Sequence, residues 1–148
     1  MTLDPAQDGI THINIYSQGK TELGRLLSNF AHTPFEHTEY GKFASVEGLW
    51  YWLLTGEEFL REMSGYRAKE VGRKILRKGN LDLKKFEEDV KEGIRCKLRQ
   101  HQKILKLLTE STLPLEHYYT YGSHVKEPTE HRWIIEEIDR IRKIMQLI

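Results

Sequence analysis

A chain of 148 residues with 39% hydrophobic content is long enough to bury a sizeable core as one domain spanning residues 1–148. Its 23 Lys and Arg against 22 Asp and Glu leave a net charge of +1, which excludes a strong bulk field for nucleic acid. One cysteine excludes a disulfide framework or a cysteine metal cluster, and no apolar run has the length of a membrane span or a signal segment, so a cytoplasmic protein is expected.

Residues 1–9 carry Pro5 and Gly9 among polar neighbours and are expected to form a flexible arm. Residues 10–17 alternate like a short strand through Ile13 and Ile15, and the Gln18-Gly19-Lys20 stretch turns it. Residues 24–30 lack clean periodicity and read as a loop. Within it, the Asn29 amide suits a base edge or a sugar hydroxyl, and equally a bond to its own backbone. Pro34-Phe35 and Phe43 read as a pair of short strands delivering the chain to a helix.

That helix starts at Ser45. The Ser45 hydroxyl can cap it, Glu47 falls in its first turn, and Val46, Leu49, Trp50 and Leu53 follow helical spacing into a core, with Gly56 at the end. A carboxylate in a first turn is held by the helix dipole at the lip of the pocket, although it also suits a plain helix-start role. Two further helices are predicted over residues 57–63 and 66–78. Gly72, beside Arg73, then lies mid-helix, where a glycine costs about 1 kcal/mol and so implies close packing on another backbone or a ligand.

The longest predicted helix covers residues 83–100, with Phe86, Val90, Ile94 and Leu98 on its buried face and Lys97 beside that face, positioned to snorkel or to reach a cleft. Ile104 to Thr109 continue as helix. Residues 114–122 read as an extended, aromatic-rich piece ending in Tyr121-Gly122, a pair that lets backbone approach a planar ligand. Thr129 is the expected cap of a last helix striped by Ile134, Ile138, Ile141, Met145 and Ile148. Charge is uneven along the chain: residues 67–106 hold 14 basic and 6 acidic residues, giving a basic flank that either meets phosphates or is simply solvated. There is no phosphate-loop or dinucleotide glycine pattern, no histidine pair with metal-ligand spacing and no nucleophile setting around Cys96, so neither metal nor cofactor is expected.

The order of the pieces resembles the NADAR superfamily over most of the chain. The resemblance rests on residues 13–17 as the opening strand, Leu27-Ser28-Asn29-Phe30 followed by Pro34-Phe35, Phe43-Ala44-Ser45-Val46-Glu47, and Ala68 with Gly72-Arg73. Residues 95–100 with Lys97, the 105–109 run, Leu115-Glu116 and Tyr121-Gly122 complete it. The resemblance implies a compact, mainly helical α+β fold with a few short strands, and an enzyme that cuts an N-glycosidic bond between ribose and a nitrogen base.

On that resemblance Glu47 is the essential acid, with Lys42 and Glu116 as further catalytic candidates. Ser28, Asn29, Phe30, Trp50, Tyr51, Gly72, Arg73, Lys97, Tyr121 and Gly122 are the substrate-binding candidates: Asn29 for ribose or base, Trp50, Tyr51 or Tyr121 for stacking, and Arg73 and Lys97 for pyrophosphate. The chain departs from the family at Leu54, where a lysine is usual, at Tyr51, where glutamine is expected, and at its missing glycine-asparagine-leucine-glycine ending. Short, divergent versions resemble phage proteins that undo a host's DNA-modifying defence, which would place the protein in a host cytoplasm. The implied activity is removal of ADP-ribose from guanine in modified DNA, reversing a DNA-ADP-ribosylating toxin. ADP-ribosylated DNA is then the partner and ADP-ribose the product. The alternatives are an N-glycosidase acting on ribosylamino-pyrimidine phosphates of riboflavin synthesis and a non-catalytic ADP-ribose-binding module.

Overall fold

In the computed structural model, which describes residues 3–148, the chain falls into two compact units, one holding the chain up to Ser28 together with Lys103–Ile148, the other Asn29–Gln102. Helices predominate and the strands are short, the α+β class expected from the sequence. None of the described helices is long and apolar enough to cross a membrane.

In the first unit the expected arm is tied down beyond Met1 and Thr2, which lie outside the described residues. Asp4 caps a 3-10 turn over Pro5–Gln7, and buried Asp8 accepts hydrogen bonds from the amides of Asn14 and Lys20 at 2.9 and 2.8 Å. The opening strand shrinks to β1 (Ile13–Asn14), which pairs in parallel with β4 (Leu115–Glu116). Residues read as loop form instead a short helix, α1 (Glu22–Leu27), capped by Thr21 through the Gly24 amide. Its six residues are too few to display helical periodicity in sequence. The extended piece continues as a hairpin of β5 (Tyr119–Tyr121) and β6 (His124–Lys126). The final helix, α6 (Arg132–Gln146), is not capped by Thr129: His131 takes the cap position in the left-handed region, with φ 61°. Of the expected stripe only Ile138 is buried; Ile134, Ile141 and Met145 are half-buried, Ile148 is 92% exposed, and Ile135, outside the stripe, is the other buried isoleucine of the helix.

The second unit is built around α2 (Val46–Thr55). A hairpin of β2 (Phe35–His37) and β3 (Gly41–Phe43) delivers the chain to it, Phe35 facing Phe43 across the ladder with both rings buried. Gly56 ends α2 in the left-handed conformation, φ 81°. The expected helix over 57–63 is a 3-10 helix at Glu58–Glu62, and the one over 66–78 is shorter, α3 (Gly65–Gly72). The long helix α4 (Leu83–Gln100) has the expected bounds, capped by Asp82, and the chain then returns to the first unit through α5 (Gln102–Glu110). Gly48 lets α2 approach the 3-10 helix closely, since a Cβ there would stand 2.6 Å from the Leu60 carbonyl oxygen.

Candidate active site

The Ser45 hydroxyl does two jobs at the start of α2. It accepts from the Gly48 amide at 3.0 Å and donates to the Met63 carbonyl at 2.8 Å, so one group both caps the helix and binds it to the segment after the 3-10 helix. Ser45→Ala is expected to lower stability by about 1–2 kcal/mol, because both bonds go at once, and a denaturant titration reads this directly. The Glu47 amide, another donor of the first turn, bonds the Asn29 carbonyl at 2.9 Å. That contact draws the Asn29 segment to the base of the Glu47 side chain.

Glu47 itself is 8% exposed. Burial pushes its pKa up to about 7, while the Lys69 charge acts in the opposite direction. One turn along α2, burial raises the Tyr51 hydroxyl; the Glu47 charge adds to the rise, and Arg77 and Arg73 oppose it. Lys69 therefore acts electrostatically on Glu47, and Arg73 and Arg77 on Tyr51, a convergence of fields on the first two turns of α2.

The convergence depends on α3 lying hard against α2. A Cβ added at Gly72 would stand 2.3 Å from Tyr51 Cγ and 2.5 Å from its Cβ, so the glycine clears space for the tyrosine. The expectation was close packing on another backbone or a ligand; the neighbour is instead the Tyr51 side chain, and Gly72 closes α3 rather than lying mid-helix. Gly72→Ala is expected to separate the two helices and cost about 1–3 kcal/mol, read as a lower denaturation midpoint with an unchanged slope. A midpoint within error of wild type would contradict this packing.

No protein-family model and no curated protein sequence matches the chain. Among solved structures, the NMR structure of the E. coli protein YbiA is similar over 98% of this chain and 94% of that one, with a TM-score of 0.67 and 19% identity. The chain has the fold of YbiA. YbiA is a NADAR-family protein, so the architecture expected from the resemblance is the one observed.

Within this YbiA-like fold the remaining candidates are divided between the two units. Asn29 and Phe30 are half-buried at the entrance to the second unit. Trp50 meets Phe86 edge-on, centroids 4.8 Å apart at 85°, and so helps join α2 to α4. Lys42 is exposed on β3 opposite Glu36, and none of the described interactions brings it to Glu47. Lys97 does not snorkel: it is 2% exposed, and burial lowers its pKa to about 7. The other candidates belong to the first unit. Buried Ser28 ends α1, Glu116 lies in β4 with Arg132 Nη1 3.8 Å away, and Tyr121, 62% exposed, precedes Gly122 at the hairpin turn, φ 62°.

Two residues at the Glu47 cluster, Lys69 and Arg77, escaped the sequence reading. Their signal was present, since Lys69, Gly72, Arg73 and Arg77 recur at three- and four-residue steps from the same region. Among the described residues, no group of three or more His, Cys, Asp or Glu is placed to hold a metal ion.

Proposed function

We propose that this chain is an N-glycosidase that removes ADP-ribose from guanine in modified DNA. The observation that carries the reading is Glu47: a carboxyl group buried in the first turn of a helix, with burial lifting its pKa to about 7 and the Lys69 charge acting on it. Cleavage breaks the bond between ribose C1 and a base nitrogen. The bonding pair leaves with the base, positive charge develops on the ribose, and water adds to C1. A carboxylate in a poorly hydrated site stabilises that charge strongly and can take the proton of the attacking water, while the departing base accepts a proton in exchange.

Lys69, Arg73 and Arg77 favour a diphosphate substrate over the single phosphate of a riboflavin intermediate, because charge-assisted bonds to phosphate oxygens suit several cations together. Tyr51 provides a ring beside the carboxylate on which a base or sugar can lie. The test offers an ADP-ribosylated single-stranded oligonucleotide and a ribosylamino-pyrimidine phosphate to the wild-type protein, with products read by mass spectrometry. Release of ADP-ribose from the oligonucleotide alone is the expected result. Turnover of the small molecule alone would transfer the activity to the riboflavin-type substrate, and tight ADP-ribose binding with neither turnover would make the protein a binding module.

A further inference from the structure

The basic flank seen in sequence divides into two parts of different character. Along α4 four of the six basic side chains are matched by acids: Lys85 by Glu39 and Asp89, Lys91 by Glu87, Arg95 by Glu88 and Glu92, and Arg99 by Glu92. Along α3 and the loop after it, residues 65–80 carry six basic residues and one acid, Glu70. Glu70 pairs with Lys74 at 3.5 Å on an exposed surface, a contact of little strength. Among the described residues, no ion pair neutralises Arg67, Arg73, Arg77 or Lys78. The greater part of the flank's unmatched charge therefore lies on α3 and its loop.

This strip also carries an aromatic ring. Tyr66 is 58% exposed beside exposed Arg67, and Arg67 and Lys74 lie seven residues apart, about 10 Å along the same stretch of helix and turn. Basic side chains spaced around an exposed ring are what a single nucleic-acid strand needs, since phosphates meet the cations and an unstacked base covers the ring. A duplex keeps its bases stacked inside and has no use for the ring. Gly72 of α3 packs on the Tyr51 side chain, and Arg73 and Arg77 act on its hydroxyl, so the strip adjoins α2 beside Tyr51.

We propose that the strip from Tyr66 to Lys78 is a binding track for single-stranded DNA, with Arg67, Lys74 and Lys78 on phosphates and Tyr66 stacked under a base. The proposal rests on the glycosidase reading only in naming what the track delivers to Glu47; the binding itself needs no chemistry.

The test is fluorescence anisotropy across a salt series, with an unmodified DNA strand of roughly 15 nucleotides and its duplex. Wild type is expected to bind the single strand more tightly than the duplex. The Arg67→Gln, Lys74→Gln, Lys78→Gln triple variant is expected to lose at least about tenfold in affinity and to flatten the log–log salt slope by about 2, at roughly 0.7 per phosphate. Tyr66→Ala is expected to weaken the single strand about tenfold and to leave the duplex unchanged. A Lys84→Gln, Lys91→Gln variant on α4 is the control and should bind as wild type does. Wild-type affinity in the triple variant, an equal loss in the control, or a preference for duplex would each overturn the track. Circular dichroism of every variant separates lost binding from lost fold. Because the probe is unmodified, binding without hydrolysis of ADP-ribosylated DNA sinks the glycosidase reading alone, and hydrolysis without strand binding sinks the track alone.

Discussion

Glu47→Gln is expected to lower turnover of ADP-ribosylated DNA by about 100- to 10,000-fold and, in the same protein, to raise stability above pH 7. Both effects follow from one buried carboxyl group. Its pKa rises from 4.5 to about 7, and each unit corresponds to about 1.4 kcal/mol, so ionised Glu47 costs the fold about 3 kcal/mol. A raised folded-state pKa gives stability that is fully present below the unfolded value and is lost as pH rises through the folded value. Gln stays neutral throughout. The two proteins should therefore be equally stable near pH 4 and diverge between pH 4.5 and 7, with the variant ahead by about 3 kcal/mol at pH 8. Denaturant titrations at the two pH values read this. Equal differences at both would show that Glu47 is not held in a desolvated site, and retained turnover would remove it from the chemistry.

Against Lys97→Met, wild type is expected to gain stability as pH rises above about 7, because burial lowers the Lys97 amine from 10.5 to about 7. The side chain is wholly enclosed, and Met fills much the same volume without an amine. In the unfolded chain the amine stays protonated up to its ordinary value, while the fold favours the neutral form from about pH 7. Wild-type stability consequently gains on the variant as pH rises from 7 toward 10.5, and the gain levels off at the top of that window. Thermal melts of both proteins at pH 7 and pH 10 test the sign. An equal difference between the two proteins at both pH values would mean that the ammonium form is well solvated by its neighbours.

The parts of the fold legible in sequence were those fixed by short-range physics. Ser45 and Gly56 mark helix ends by capping chemistry, and α4 shows its full length because four-residue apolar steps persist across 18 residues. Where tertiary contacts decided, the sequence was silent. The six residues of α1 wrap Gly24 against the Asn14 carbonyl, and β1 pairs with a strand about a hundred positions away; neither is visible to periodicity. His131 rather than Thr129 starts α6 because backbone geometry, not a side-chain cap, makes that turn.

The site followed the same division. Glu47 was readable because cap, dipole and first turn are all local. Lys69 and Arg77 were missed because their approach to Glu47 and Tyr51 depends on how closely α3 packs on α2, which the clearance at Gly72 sets. The depth of Lys97 was likewise decided by neighbouring elements, since helical spacing places it only at the edge of a buried face.

The most direct test of the account is a crystal structure of the Glu47→Gln variant soaked with ADP-ribose. The account predicts that ribose C1 lies against residue 47, that a ring of the ligand or its sugar lies on Tyr51, and that the pyrophosphate is held by Arg73 and Arg77 with Lys69 alongside. Ligand bound elsewhere, with residue 47 still sealed inside the protein, would contradict it.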